Sequence, residues 1–208
     1  MAQTMRDSVQ RAALSQITRE MDLTAVQAVR RALASSVSLN VFLLAAVART
    51  LPHHPLLNAE LVDDKVLVYE PVNLGMAVAV PDGLIVAVIR EAHRKTLAEL
   101  AAAAEDIAAR ARSGKLGYAD IEGGTFTVSN LGMYGIDTLL AIIQPNQSAI
   151  LGIGAVAPKP VVRDGEIVVR RMMTLGLSAD HRATDGAQGA EFLQTLRDLL
   201  EPPVRLLQ

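Results

Sequence analysis

Residues 172–200 read MMTLGLSADHRATDGAQGAEFLQTLRDLL, and the character of the chain changes halfway through. Met172 to Ser178 reads as a buried strand, and Gly186 to Leu200 reads as an amphipathic helix that stops before Pro202-Pro203. Between them lies the loop Ser178-Ala179-Asp180-His181-Arg182-Ala183-Thr184-Asp185-Gly186. A polar loop held between two rigid elements is a place where a scaffold can position reactive side chains.

Outward from this segment, the pattern places helices at both ends of the chain and once in the middle, with strands between. Leu23, Val26, Val29 and Leu33 recur at helical spacing, and Thr24 followed by Gln27 predicts a capping box. A second helix spans about Asn40 to Leu51, apolar all round from Val41 to Ala48 and therefore buried on nearly every side. Thr96 to Arg112 is a third. Strands are expected at 66–69, 76–80, 84–89, 125–129, 149–154, 161–163 and 167–170, with turns at Pro81-Asp82-Gly83 and Asp164-Gly165. The first twenty residues have no clear period. No Gly/Ser linker divides the chain, so residues 1–208 read as one domain. The fold class is α/β (α+β), with a mixed or antiparallel sheet rather than a regular βαβ alternation.

Composition removes several classes of function. Half of the 208 residues are apolar, which excludes a disordered chain. Twenty basic residues against twenty-two acidic ones, no Trp, three Phe and three Tyr leave little for nucleic-acid binding by charge or stacking. The run 41–48 is far shorter than the roughly 20 residues of a membrane span, and the first twenty residues carry charges where a cleavable signal would be apolar. A soluble, cytoplasmic protein is expected. With no cysteine, disulfides, thiolate nucleophiles and Cys-ligated zinc are excluded.

Two segments could carry chemistry. In the loop, His181 is the side chain suited to act as a base near neutral pH. Asp185 could orient the ring or hold the loop; it also stands where a helix N-cap belongs, with Gln188 three residues on. Gly186 could simply allow a tight turn. The second segment is Gly123-Gly124-Thr125-Phe126-Thr127-Val128-Ser129-Asn130-Leu131-Gly132-Met133-Tyr134-Gly135, a strand running into a Gly-rich turn. Ser129 and Asn130 at its tip could donate to an oxyanion or serve only local turn hydrogen bonds. His53 and His54, between prolines, make a poor chelate, and His93 reads as part of a solvated connection; no metal site is expected.

Together these segments, with Gln147-Ser148-Ala149-Ile150-Leu151 and Asn58-Ala59, resemble the catalytic domain of the 2-oxo acid dehydrogenase acyltransferases, the dihydrolipoamide acyltransferase components. The resemblance runs from about Met5 to Leu207. It implies a chloramphenicol acetyltransferase-like two-layer sandwich, a mixed sheet flanked by helices. It implies His181 as the general base for a thiol, Ser129 as the oxyanion donor, Asp185 as a structural acid with a basic partner, and Asn130 as a cofactor contact. The substrates implied are coenzyme A and a lipoyl group carried on a separate domain. The assembly implied is a homotrimer with the site between subunits, built further into a cubic or icosahedral core that binds the E1 and E3 components. The Ser-Asn-Leu-Gly-Met form favours acetyl transfer, in a pyruvate-type or acetoin dehydrogenase complex.

The sequence departs from the family pattern at both ends of this argument. No lipoyl or subunit-binding domain is present, and Lys65 lacks the flanks of a lipoyl hairpin. Thr4 stands where a basic residue precedes Met5, which leaves Arg6 as a possible partner for Asp185. Alternatives are a chloramphenicol-type O-acetyltransferase and a catalytically impaired scaffold core.

Overall fold

The computed structural model describes residues 2–32, 37–81 and 83–207, with the side chains of 2–5 and 7 outside that description. Thr4 and Met5, Leu33 and the Asp82 of the expected turn therefore fall wholly or in part beyond it. The element order is α1 (Ala2–Arg11), β1 (Leu14–Asp22), α2 (Thr24–Ala32), α3 (Leu39–Thr50), β2 (Ala59–Val62), β3 (Lys65–Val68), β4 (Leu74–Val80), β5 (Gly83–Ile89), α4 (Leu97–Arg112), β6 (Phe126–Asn130), β7 (Ala149–Ile153), β8 (Ala157–Arg163), β9 (Glu166–Asp180) and α5 (Gly186–Leu200). The seven-stranded sheet has the order β1-β9-β7-β6-β4-β5, with β8 also paired to β9, and β2-β3 forms a separate hairpin. Strands β4, β6 and β7 run parallel while the other pairings are antiparallel, so the sheet is mixed.

Local chemistry accounts for the elements. In α3, Ser38 caps the N-terminus by accepting from the Val41 N–H, and nine of its twelve residues are buried because the helix packs against α2, α4 and α5. Thr96 and Glu99 close a capping box on α4, whose Leu100, Ala104, Ile107 and Ala111 face inward. Helices cover one face of the sheet, where the Phe126 and Phe192 rings meet at 5.7 Å.

The opposite face is held by glycine. Laterally paired residues point to the same side of a sheet, and the register pairs Ser129 with Gly152 and Gly152 with Gly176. A Cβ on Gly152 or Gly176 would overlap the Leu139 carbonyl oxygen, and one on Gly154 would overlap that of Asp137. The irregular segment 136–140 thus lies directly on a lane of bare backbone, next to Ser129. None of these glycines has a positive φ; they are required by the close approach alone.

One stretch without a clear period takes shape, and three expectations need correction. The unreadable first residues form α1 and β1. The outward row of β1 is Leu14, Gln16, Thr18 and Glu20, and its inner row includes Ser15 and Arg19, so no clean alternation of polarity exists. The two strands expected at 167–170 and 172–178 are one fifteen-residue strand; Met172 is where its partners change, from β8 to β1. Thr24 closes no capping box: its Oγ accepts from the Arg171 N–H, and Asp22 accepts from the Thr24 N–H instead. His93 is half-buried and its Nδ1 accepts from the Val72 N–H, so it is not a solvated residue.

Substituting Gly152 by Ala must displace backbone, and overpacking of this kind costs about 2–3 kcal/mol. Thermal unfolding of Gly152→Ala is expected about 5–10 °C below that of the unsubstituted chain, whereas Gly186→Ala, which meets nothing within 4 Å and has no positive φ, should leave Tm within about 2 °C. Equal midpoints for the two variants would contradict the seating of segment 136–140.

Candidate active site

The loop after β9 is fixed by its first residue. The Asp180 carboxylate is 5% exposed and accepts from the Ala13 N–H (3.2 Å), the Arg182 N–H (3.1 Å) and the Arg182 guanidinium at Nε (3.0 Å) and Nη2 (2.6 Å). Burial alone would raise its pKa; the hydrogen bonds from Arg182 and Ala13 outweigh that and hold it below the ordinary carboxylate value. The Asp180 carbonyl accepts from the Ala183 and Thr184 N–H groups, and the His181 N–H donates to the Ala13 carbonyl (2.8 Å). Ala13 and the pair Asp180-His181 thus grip each other in both directions. The His181 side chain stands exposed at the end of the sheet.

Asp185 is the N-cap of α5. Its Oδ1 accepts from the Gln188 N–H (2.9 Å), while Gln188 Oε1 accepts from the Asp185 N–H (3.2 Å) and from the Thr184 hydroxyl (2.8 Å). Among the described residues no ion pair reaches it, from Arg6 or any other cation. Gly186 has no positive φ and opens the helix, so no tight turn depends on it.

Ser129 and Asn130 close β6, and alternation sends them to opposite faces. Ser129 is half-buried on the side of the glycine lane. Asn130 points to the helix side, where its Oδ1 accepts from the Gly132 N–H (2.8 Å) and its Nδ2 donates to Asn40 Oδ1 (3.1 Å). Asn130 keeps one amide hydrogen and one lone pair for a ligand.

One chain does not bring Ser129 and His181 together. Ser129, Gly152 and Gly176 are in register, and His181 follows Gly176 by five residues. Two strand spacings across and five residue rises along the strand place them about 19 Å apart, at opposite ends of the sheet. Each end has its own cavity. Near His181, about 270 Å³ is lined by residues including Arg11, Asn146, Asp180 and Arg182. At the Ser129 end, about 610 Å³ opens between α4 and the diverging ends of β4 and β6, lined by Asn40, Ala77, Ala104 and Asn130 among others.

Sequence reading missed Ala13 and Asn40 as supports of these groups, whereas the pairing of Asp185 with Gln188 at the head of α5 is the cap the sequence predicts. Asn40 left a trace, a lone amide at the head of an apolar helix; Ala13 acts only through its backbone and left none. His53 and His54 line a further cavity of about 170 Å³ together with Thr184 and Gln188; His54 Nε2 meets Thr195 Oγ (3.0 Å) and its ring meets Phe192 edge-on, with burial lowering its pKa. Among the described residues, no group of three His, Cys, Asp or Glu side chains could hold a metal ion, and no helix is long and apolar enough to cross a membrane.

Comparison with known proteins gives this geometry a context. Residues 1–208 match the family described as 2-oxoacid dehydrogenases acyltransferase (catalytic domain). The chain is 40% identical over 82% of its length to the dihydrolipoyllysine-residue acetyltransferase component of the pyruvate dehydrogenase complex of Rickettsia conorii, covering 42% of that protein. It is 35% identical over 99% of its length to the acetyltransferase component of the acetoin cleaving system of Bacillus subtilis, covering 54%. It is 38% identical over 99% to the succinyltransferase component of the 2-oxoglutarate dehydrogenase complex of Rickettsia typhi, covering 54%. The chain therefore spans about half the length of these relatives. Among solved structures, Azotobacter vinelandii dihydrolipoamide acetyltransferase superposes with a TM-score of 0.93 at 33% identity, over 100% of this chain and 89% of that one. The cubic core of a pyruvate dehydrogenase multienzyme complex gives 0.93 at 34%, with the same coverage. A chloramphenicol acetyltransferase, at 16% identity and 0.63 over 95% of this chain and 94% of that one, shares the two-layer fold. The chain belongs to the 2-oxoacid dehydrogenases acyltransferase (catalytic domain) family.

Proposed function

We propose that residues 1–208 act as one catalytic unit that moves an acetyl group between a dihydrolipoamide arm and coenzyme A, as the core of a pyruvate-type or acetoin dehydrogenase complex. One observation carries the reading. The Azotobacter enzyme was studied for the catalytic roles of a serine, a histidine 52 residues later and an asparagine four residues after that. Ser129, His181 and Asp185 have that same spacing here, on a fold superposing at 0.93.

His181 takes the proton from the CoA thiol, whose thiolate attacks the acetyl carbonyl carbon of the S-acetyldihydrolipoyl group. The Ser129 hydroxyl donates to the oxyanion of the tetrahedral intermediate. Collapse breaks the bond to the lipoyl sulfur, and His181 returns the proton to it. No metal step is needed. Asn130 offers its remaining amide hydrogen and lone pair to the cofactor. Since His181 and Ser129 lie at opposite ends of one sheet, the two meet only when the His181 end of one copy abuts the Ser129 end of the next. Such head-to-tail contact closes into a ring, in keeping with a homotrimer and, through further contacts, a larger core to which E1 and E3 components bind. Asp185 serves as a cap, a role Asp and Asn fill equally well.

Acetyl transfer from acetyl-CoA to dihydrolipoamide is expected to fall about 10²–10⁴-fold in His181→Ala and about 10²–10³-fold in Ser129→Ala, with particle size by analytical ultracentrifugation unchanged. Activity of His181→Ala within about threefold of the unsubstituted protein would remove the base from the account; assembled particles that never turn over would point to a scaffold. Asp185→Asn should hold kcat within about threefold, while Asp185→Ala, which removes a cap worth about 1 kcal/mol, should lower both Tm and kcat. Equal losses for the two would mean that the charge of Asp185, not its cap, is used.

A further inference from the structure

We propose that Asn40, at the start of α3, is the positioning residue for Ser129, holding the end of β6 where the sheet no longer supports it; this rests on the acyltransfer reading above. Strand β6 pairs with β4 only as far as Met76↔Val128. Beyond Val128 its sole strand neighbour among the described residues is β7, through Ser129↔Gly152 and Asn130↔Ile153. On the abandoned side the cleft of about 610 Å³ opens, so Ser129 sits on a strand end with one flank free. Asn40 spans that flank. Its Oδ1 accepts from Asn130 Nδ2 (3.1 Å), its Nδ2 donates to Met76 Sδ (3.8 Å), and Asn130 Oδ1 in turn accepts from the Gly132 N–H (2.8 Å). The chain of contacts runs from β4 through α3 to the turn that follows Ser129. It is anchored in a rigid body, since α3 is capped by Ser38 and buried along nine of its twelve residues. Asn40 has no need to touch the substrate; it acts through Asn130 on the backbone that carries the serine. A misplaced donor is costly because displacements of the order of 1 Å lower the rate of chemistry steeply.

The test uses the assembled protein with Asn40→Ala, Asn40→Asp, Asn130→Ala and the Asn40→Ala/Asn130→Ala pair. Ala keeps the helix intact, and Asp keeps an oxygen to accept from Asn130. Asn40→Ala is expected to lower kcat about tenfold with KM for CoA and dihydrolipoamide within about twofold. Asn40→Asp should recover kcat to within about threefold of the unsubstituted protein, and the pair should be no slower than Asn130→Ala. Hydrogen exchange of the Gly132 amide should quicken about tenfold in Asn40→Ala. A raised KM at constant kcat, multiplicative effects in the pair, or unchanged protection of Gly132 would each overturn the proposal. Should the unsubstituted protein show no acyl transfer, the functional reading fails and the Gly132 exchange alone decides: lost protection sustains the role of Asn40, unchanged protection ends it.

Discussion

The register of three strands governs what this chain can do. Ser129, Gly152 and Gly176 lie side by side across β6, β7 and β9, and β9 then runs on to Asp180 and releases His181 beyond its end. A hydrogen-bonded sheet does not shorten, so the separation of about 19 Å between serine and histidine is built into the fold. Any chemistry that uses both must recruit a second copy. The sheet is thus a rigid spacer that displays one half of the proposed site at each end, and each end has an open cavity of its own.

Both halves are held by polar contacts rather than by apolar packing. At the histidine end, the buried carboxylate of Asp180 is balanced by Arg182 and pinned to the Ala13 backbone, while Asp185 and Gln188 cap the helix that follows. A buried charge left without its hydrogen bonds is strongly destabilising, so the loop has little freedom to take another shape. At the serine end the restraint is an amide pair, Asn40 with Asn130, set over a strand flank that has lost its neighbour. The glycine lane restrains the third side by letting segment 136–140 lie directly on backbone.

The parts of this arrangement differ in how legible they were. Helices α3, α4 and α5 were readable because their apolar content and spacing give the type and Pro52, Gly114 and Pro202 mark where each one stops. The loop around His181 and the turn at Ser129 stood out as reactive side chains between strong elements. Strand β1 was unreadable because Ser15 and Arg19 sit in its inner row, where burial is only partial. The unity of β9 was hidden by Arg170-Arg171, which looks like a break although both residues still pair with β8 and the partners change only at Met172. The supports of the site were the least visible. Ala13 contributes backbone groups that any residue would offer, the lane of Gly152, Gly154 and Gly176 has meaning only once segment 136–140 is seen across it, and Asn40 meets Asn130 across ninety residues of sequence.

The most direct test mixes protomers that lack opposite halves of the site. His181→Ala and Ser129→Ala chains, each inactive alone, are dissociated, combined in equal amounts and reassembled. If the site forms head-to-tail between copies, a junction that takes His181 from one chain and Ser129 from the other is intact, and about one quarter of the junctions in a randomly mixed ring regain acyl transfer. Activity no higher than the sum of the two separate variants would contradict a site shared between copies.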